Sequence, residues 1–376
     1  MTKHINKITA VLMLLFISFV LVFTIIKEKG KESFHENREL AQRPAFSPED
    51  LYDGSFTRQL NTFITDHFAG RSHWISAKSR LGAQFSEKII NGVYIADGRL
   101  LDAEISKRSS FEKSVSEINR YVESCNGAIY FVAVPTSSGI YDEYLPEYLL
   151  SNPENMQISS LYASLDSNIR KIDAYNILKM LKENYIFYRN DTKWTSYGAY
   201  CVYRTVIQKL GFLPTAYDKY TIDHVISDFR GNLYNRTLYD DINPDIIDIY
   251  TYPSGAEVIS STSYDNEGHI RQKLLYDKSM LNSNYKYRVY LGSEVPMIKI
   301  KTSVNNERKL LVIKDSYADC FIPFLTQHYS EIAVFSPEYS EKGLADFLNP
   351  NDYEQTLFLF GIESMSNENC FKVLNK

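Results

Sequence analysis

Short apolar runs rich in strand formers constrain this chain more than any other feature: Ala128 to Val134 (AIYFVAV), Leu310 to Ile313 and Thr356 to Phe360, with Glu331 to Phe335 between the last two. Runs of this length, closed by turn residues such as Pro135, read as strands covered on both faces. Between them lie helical patterns. Asn155 to Leu181 reads as helix in two pieces, and Thr195 or Ser196 caps a helix whose Ala199, Val202, Tyr203, Val206, Ile207 and Leu210 recur at threes and fours until Gly211. Strands alternating with helices predict an α/β fold with a largely parallel sheet flanked by helices. About 215 to 300 differs, being rich in Tyr, Ile, Asp and turn residues. Its alternating pieces Ile246 to Tyr252 and Tyr285 to Leu291 predict an inserted β region. Leu60 to Leu81 reads as helix, Val93 to Ile95 as part of a hairpin between Asn91-Gly92 and Asp97-Gly98, and Tyr185 to Tyr188 as a strand.

The amino terminus is a different material. Ile8 to Ile26 is nineteen residues without a charge, preceded by Lys3 and Lys7 and followed by Lys27-Glu28-Lys29-Gly30-Lys31. That length spans a bilayer core, and the run lacks the small-residue cleavage site of a signal peptide, so it predicts an uncleaved transmembrane anchor. Residues 1–7 are then expected in the cytoplasm, 8–26 in the membrane, 27–59 as a polar stalk carrying Pro44 and Pro48, and 60–376 as one extracytoplasmic domain.

Composition excludes several classes. With 41 Lys and Arg against 46 Asp and Glu in 376 residues, the net charge is −5, which argues against a nucleic-acid partner. The cysteines, Cys125, Cys201, Cys320 and Cys370, are too scattered for a metal or redox motif, and neither a P-loop, a dinucleotide fingerprint, a zincin motif nor G-x-S-x-G is present. No cofactor or metal is expected. The 29 tyrosines suit wet, sugar-binding surfaces, although scattered core tyrosines give the same count.

Two places invite chemistry. Leu310-Leu311-Val312-Ile313-Lys314-Asp315-Ser316 reads as a buried strand ending at a serine, and Pro323 starts a helix near Cys320, which leaves Ser316 in the turn between. The carboxyl edge of an open α/β sheet is where ligands bind. The second place is Asp191-Thr192-Lys193-Trp194: if extended, it points residues 191 and 193 to one side. The plain alternatives are a capping serine and a surface ion pair.

These pieces together resemble a family. Asp66-His67-Phe68-Ala69-Gly70-Arg71, Asn91-Gly92-Val93-Tyr94, Val134-Pro135-Thr136, Tyr188 to Tyr200, Asp228-Phe229-Arg230-Gly231 and Leu310 to Leu325 occur in the order and spacing of bacterial DHHW-motif proteins, which are related to SGNH-hydrolase-like alginate O-acetylation proteins. The resemblance implies an SGNH-like fold, Ser316 as nucleophile, and Asp191 orienting a histidine two residues later. Here that histidine is Lys193. A further departure is Tyr290 to Pro296, where the resemblance implies a Gly-Gly-Asn-His-Pro-like run and Glu294 stands in place of an oxyanion donor. Trp194, Tyr317 and Glu294 are the expected substrate-binding residues.

Making Lys193 neutral at pH 7 costs about 4.6 kcal/mol, and a neighbouring Asp191 opposes it, so the expected state is an Asp191–Lys193 ion pair beside Ser316. His328, twelve residues past Ser316, is a poor substitute base, and His67, His73, His224 and His269 cannot be placed from sequence. Two functions follow. One is an O-acetyltransferase or esterase of a cell-surface polysaccharide, partnered by a membrane-bound O-acyltransferase. The other is a non-catalytic glycan-binding or assembly subunit of the same fold.

Overall fold

The computed structural model describes residues 2–26, 30–33, 38–85, 88–104, 111–291, 294–367 and 370–376. The flanking Lys27-Glu28-Lys29, His35, and Gly292-Ser293 of the expected oxyanion segment lie outside them. The chain forms two compact units, one of residues 1–90 with 235–241 and one of 91–234 with 242–376.

In the first unit, Thr2–Ile26 is one helix, α1, with Ile8, Val11, Leu12, Leu14 and Phe16 exposed. Among the described residues no helix is long and apolar enough to cross a membrane, and the side chains of Leu21, Phe23 and Ile25 in α1 are not among those described. The segment expected to be a plain stalk contains a short helix, α2 (Pro48–Tyr52), and the region expected as one helix is two, α3 (Ser55–Asp66) and α4 (Arg71–Gln84). Gly70 breaks them at φ +67°, a conformation a side chain disfavours. Asp66, which receives both guanidinium nitrogens of Arg38 and the amide of Ala41, is held down to about 2 by that arginine.

The second unit is a layered α/β domain. Its strands in chain order are β1 (Val93–Ala96), β2 (Arg99–Asp102), β3 (Ala128–Val134), β4 (Arg170–Ile172), β5 (Thr221–Phe229), β6 (Asp245–Thr251), β7 (Val258–Tyr264), β8 (Ile270–Gln272), β9 (Met297–Thr302), β10 (Lys309–Lys314), β11 (Glu331–Phe335) and β12 (Gln355–Gly361). Eight form one sheet in the order β8-β7-β9-β11-β10-β12-β3-β4. The pairings from β11 through β4 are parallel, and those of β8, β7 and β9 antiparallel. The sheet is therefore mixed and mostly parallel. Much of the expected insertion is its antiparallel edge, and β5 and β6 pair separately as a ribbon.

Period-two alternation explains the layers. Ile129, Phe131 and Ala133 face one core with Val115, Ile118 and Val122 of α5 (Glu112–Glu123). Tyr130, Val132 and Val134 face another with Val202, Tyr203, Val206 and Ile207 of the helix Ser196–Lys209. Thr195 caps that helix by accepting the Gly198 amide at 3.2 Å. Two expectations fail locally. Tyr285 to Leu291 is not a strand but contains a 3-10 turn at Lys286–Val289, because its tyrosines pack into several neighbours rather than one face. Tyr185 to Tyr188 contributes only one bridge, Phe187 to Trp194.

Candidate functional site

Chain direction puts the site at one edge. β10 is followed by β11 on one side and β12 on the other, so a topological switch point falls at the carboxyl end of β10, where open α/β sheets bind ligands. Ser316 stands there, half-buried, at the start of the 3-10 turn Ser316–Ala318. The carboxyl ends of β12 and β3 deliver Gly361 and Thr136-Ser137 to the same edge.

Asp315 builds the turn. One carboxylate oxygen accepts the Tyr317 amide at 2.9 Å and the other the Gly361 amide at 2.8 Å, which ties β10 to β12. Burial pushes this carboxyl up to about 6, against the hydrogen bonds it receives and the Lys193 charge. Gly361 has no side chain because a Cβ there would overlap the Tyr317 ring. Lys314, 3% exposed, pairs with Asp319 at 2.5 Å. At the neighbouring strand end, buried Glu154 accepts the Thr136 amide and hydroxyl.

The segment 189–194 is the loop of a narrow hairpin, closed by the Tyr188 amide to the Lys193 carbonyl at 3.2 Å and the Thr195 amide to the Ile186 carbonyl at 2.9 Å. It is not an extended strand, and this overturns the expected ion pair. The Asp191 carboxylate turns back to accept the Lys193 amide at 3.0 Å and the Asn232 amide at 2.8 Å. The Lys193 ammonium goes elsewhere, 5.5 Å from the centre of the Tyr287 ring and 5.7 Å from that of Tyr317. Among the described residues no carboxylate lies within 4 Å of it. Asp191, followed by Glu363, Asp315 and Asp319, nevertheless holds the ammonium above the ordinary lysine range despite its burial.

Of the neighbours of Ser316, Tyr317 presents its ring to Lys193, and the charge of Asp315 acts on the ammonium. The loop is fastened to the Ser316 turn by main-chain acceptors. Trp194 Nε1 donates to the Tyr317 carbonyl at 2.8 Å, and the Tyr317 hydroxyl donates to the Thr192 carbonyl at 3.1 Å. Trp194 is fully buried on Phe321 and Tyr317 is 1% exposed, so the two rings shape the site from beneath and offer a ligand no open face. Glu294 is exposed and ion-paired with Arg288 at the surface.

Among the described residues of the second unit no imidazole bonds to Ser316. His328 is buried against Tyr203, its Nε2 2.6 Å from that hydroxyl, and packs on Phe212 near Arg308, at the amino end of β10 rather than its carboxyl end; burial pulls it down to about 4. His224 pairs with Asp248 on the β5–β6 ribbon, and His269 with Asp265 in the β7–β8 turn. His67 and His73 belong to the first unit.

Asp245 is the residue that sequence reasoning missed. Fully buried on β6, it accepts the Tyr185 hydroxyl at 2.6 Å, the amides of Arg189 and Asn190, and the Asn190 side chain, and so fixes the start of the hairpin loop. An isolated aspartate 55 to 60 residues from its partners carries no local signal.

The family model described as DHHW protein matches residues 112–335. Among solved structures, a DHHW family protein from Eubacterium siraeum is 24% identical, with a TM-score of 0.63 over 76% of this chain and 96% of that one. Bacillus cereus PatB1, determined with a sulfonyl adduct, is 20% identical, with a TM-score of 0.64 over 75% of this chain and 98% of that one. These likenesses establish the fold. No functionally curated protein matches the sequence.

Proposed function

Because this chain belongs to the DHHW family, we propose that it is a membrane-anchored, extracytoplasmic SGNH-like protein of cell-surface polysaccharide O-acylation whose Ser316 site holds the glycan without transferring the acyl group. The family supports the process. Lys193 carries the rest: a general base needs a free lone pair to take the serine proton, and an ammonium held above the ordinary lysine range by the surrounding carboxylate charges has none. Asp191, which would orient an imidazole, is occupied by two amides. The acyl group would then come from a membrane-bound O-acyltransferase partner, with α1 keeping the two together at the bilayer.

PatB1 was captured with a sulfonyl adduct, so a sulfonyl fluoride is a fitting probe for this fold. Intact mass after exposure to it should show wild-type Ser316 unmodified, and hydrolysis of an activated acetyl ester should match that of Ser316→Ala. Ester turnover that Ser316→Ala abolishes would overturn the holding role. For the anchor, amino-terminal sequencing of the membrane-fraction protein should begin at the start of the chain, and a start near residue 28 or later refutes it.

A further inference from the structure

The charged groups around Ser316 leave one donor unanswered. Asp191 and Asp315 each accept two main-chain amides, and Asp319 is paired with Lys314. Lys193 has no hydrogen-bond acceptor and no carboxylate within 4 Å among the described residues, only the two tyrosine rings. An ammonium carries three donors, and a half-buried one lacking acceptors needs them from outside the protein. The Ser316 hydroxyl, also half-buried, likewise has no partner among the described residues.

What could answer them is limited by charge. Four carboxylates, those of Asp191, Glu363, Asp315 and Asp319, act on Lys193, against one other ammonium, that of Lys314. The local field is negative even with Lys193 protonated, which disfavours an anionic ligand and leaves a neutral oxygen acceptor as the suitable partner. Of the two rings beside the ammonium, Tyr287 is only half-buried and adds apolar surface, while Tyr317 is closed beneath it. A carbonyl oxygen next to a methyl group matches both features, whereas a free sugar hydroxyl matches only the first.

Resting on the reading that this site holds a glycan, we propose that Lys193 and Ser316 together grip the ester carbonyl of an O-acetyl group on an uncharged sugar, so that the lysine standing in the histidine position makes the site a reader of acetylation that rejects uronates. No bond is made or broken. The ester keeps its acyl group, and the carbonyl accepts from the ammonium and the hydroxyl.

The test is calorimetric titration of the full chain in detergent with three probes of equal length: a neutral O-acetylated xylo-oligosaccharide, the same sugar after alkaline removal of its acetyl groups, and an oligogalacturonate. A hydrogen bond to a charged group is worth about 1.5–3 kcal/mol, so the acetylated probe should bind roughly ten- to a hundredfold tighter than the deacetylated one. The uronate should bind most weakly. Lys193→Met should abolish the preference and Lys193→Arg should retain part of it. Equal affinity for the two neutral probes, or tighter binding of the uronate, overturns the acetyl reader while leaving a glycan-holding site. Failure of the wild-type chain to bind any of the three overturns the holding role and this inference with it. The comparison among probes needs no variant, so a misfolded substitution does not decide it.

Discussion

Asp315→Asn separates the charge of the buried carboxylate from its shape. Asp315 is 5% exposed, and burial raises its carboxyl from 3.8 to about 6. The sign follows from proton binding: between roughly pH 3.8 and 6 the folded chain holds a proton on this group that the unfolded chain has lost, so its contribution to stability falls as pH rises through that window. A shift of about two pH units corresponds to ~3 kcal/mol, present below pH 3.8 and gone above about 6. Asparagine cannot ionise and lacks this slope. It keeps one acceptor but turns an NH2 toward the amide of Tyr317 or Gly361, at a cost of about 1–3 kcal/mol. The variant should therefore be clearly less stable than wild type near pH 4 and close to it near pH 7.5. A melting series of both proteins from pH 4 to 7.5 in one buffer system reads the difference, which in a domain of this size amounts to several degrees. A gap between the two that stays constant across the series would refute the claim that the carboxylate of Asp315 is a destabilising buried charge.

Gly231→Ala should destabilise the chain by about 1–3 kcal/mol in denaturant melts, since a Cβ there would overlap the Asp191 carboxylate and force the hairpin loop outward. Asp245→Ala should cost about 3 kcal/mol or more and expose the 189–194 amides to hydrogen exchange, because it strips buried donors of their acceptor. Lys193→His should raise Ser316-dependent hydrolysis of an activated acetyl ester, by up to the 10²–10⁴-fold typical of a placed general base, if Asp191 accepts from the new ring as well as from its two amides. A smaller gain would mean that the amides hold Asp191 out of reach.

The parts legible in the sequence were those with a local cause. The central strands announce themselves as apolar runs, the helix after Thr195 by its cap and its spacing, and Ser316 by its place between a buried strand and Pro323. The 191–193 geometry was not legible, because the direction of that loop is decided by Asp245, Asn232 and the bridge from Phe187 to Trp194. Alternation predicts a strand at 285–291, but tyrosines there have several aromatic neighbours and no single face to serve. Trp194 and Tyr317 are expected to bind substrate, and only packing tells a buried ring from an open one.

The loop and the serine turn are joined through the carbonyls of Thr192 and Tyr317, while Ser137 donates its amide to the Thr192 carbonyl and its hydroxyl to that of Asp191. None of these links ends on the side chain of residue 193 or 316. A frame whose links end on peptide carbonyls and start from Trp194, Tyr317 and Ser137 does not depend on the side chains at 193 and 316, so a substitution at either leaves its joints in place. Stability measurements alone will then not tell which chemistry the residue at 193 permits.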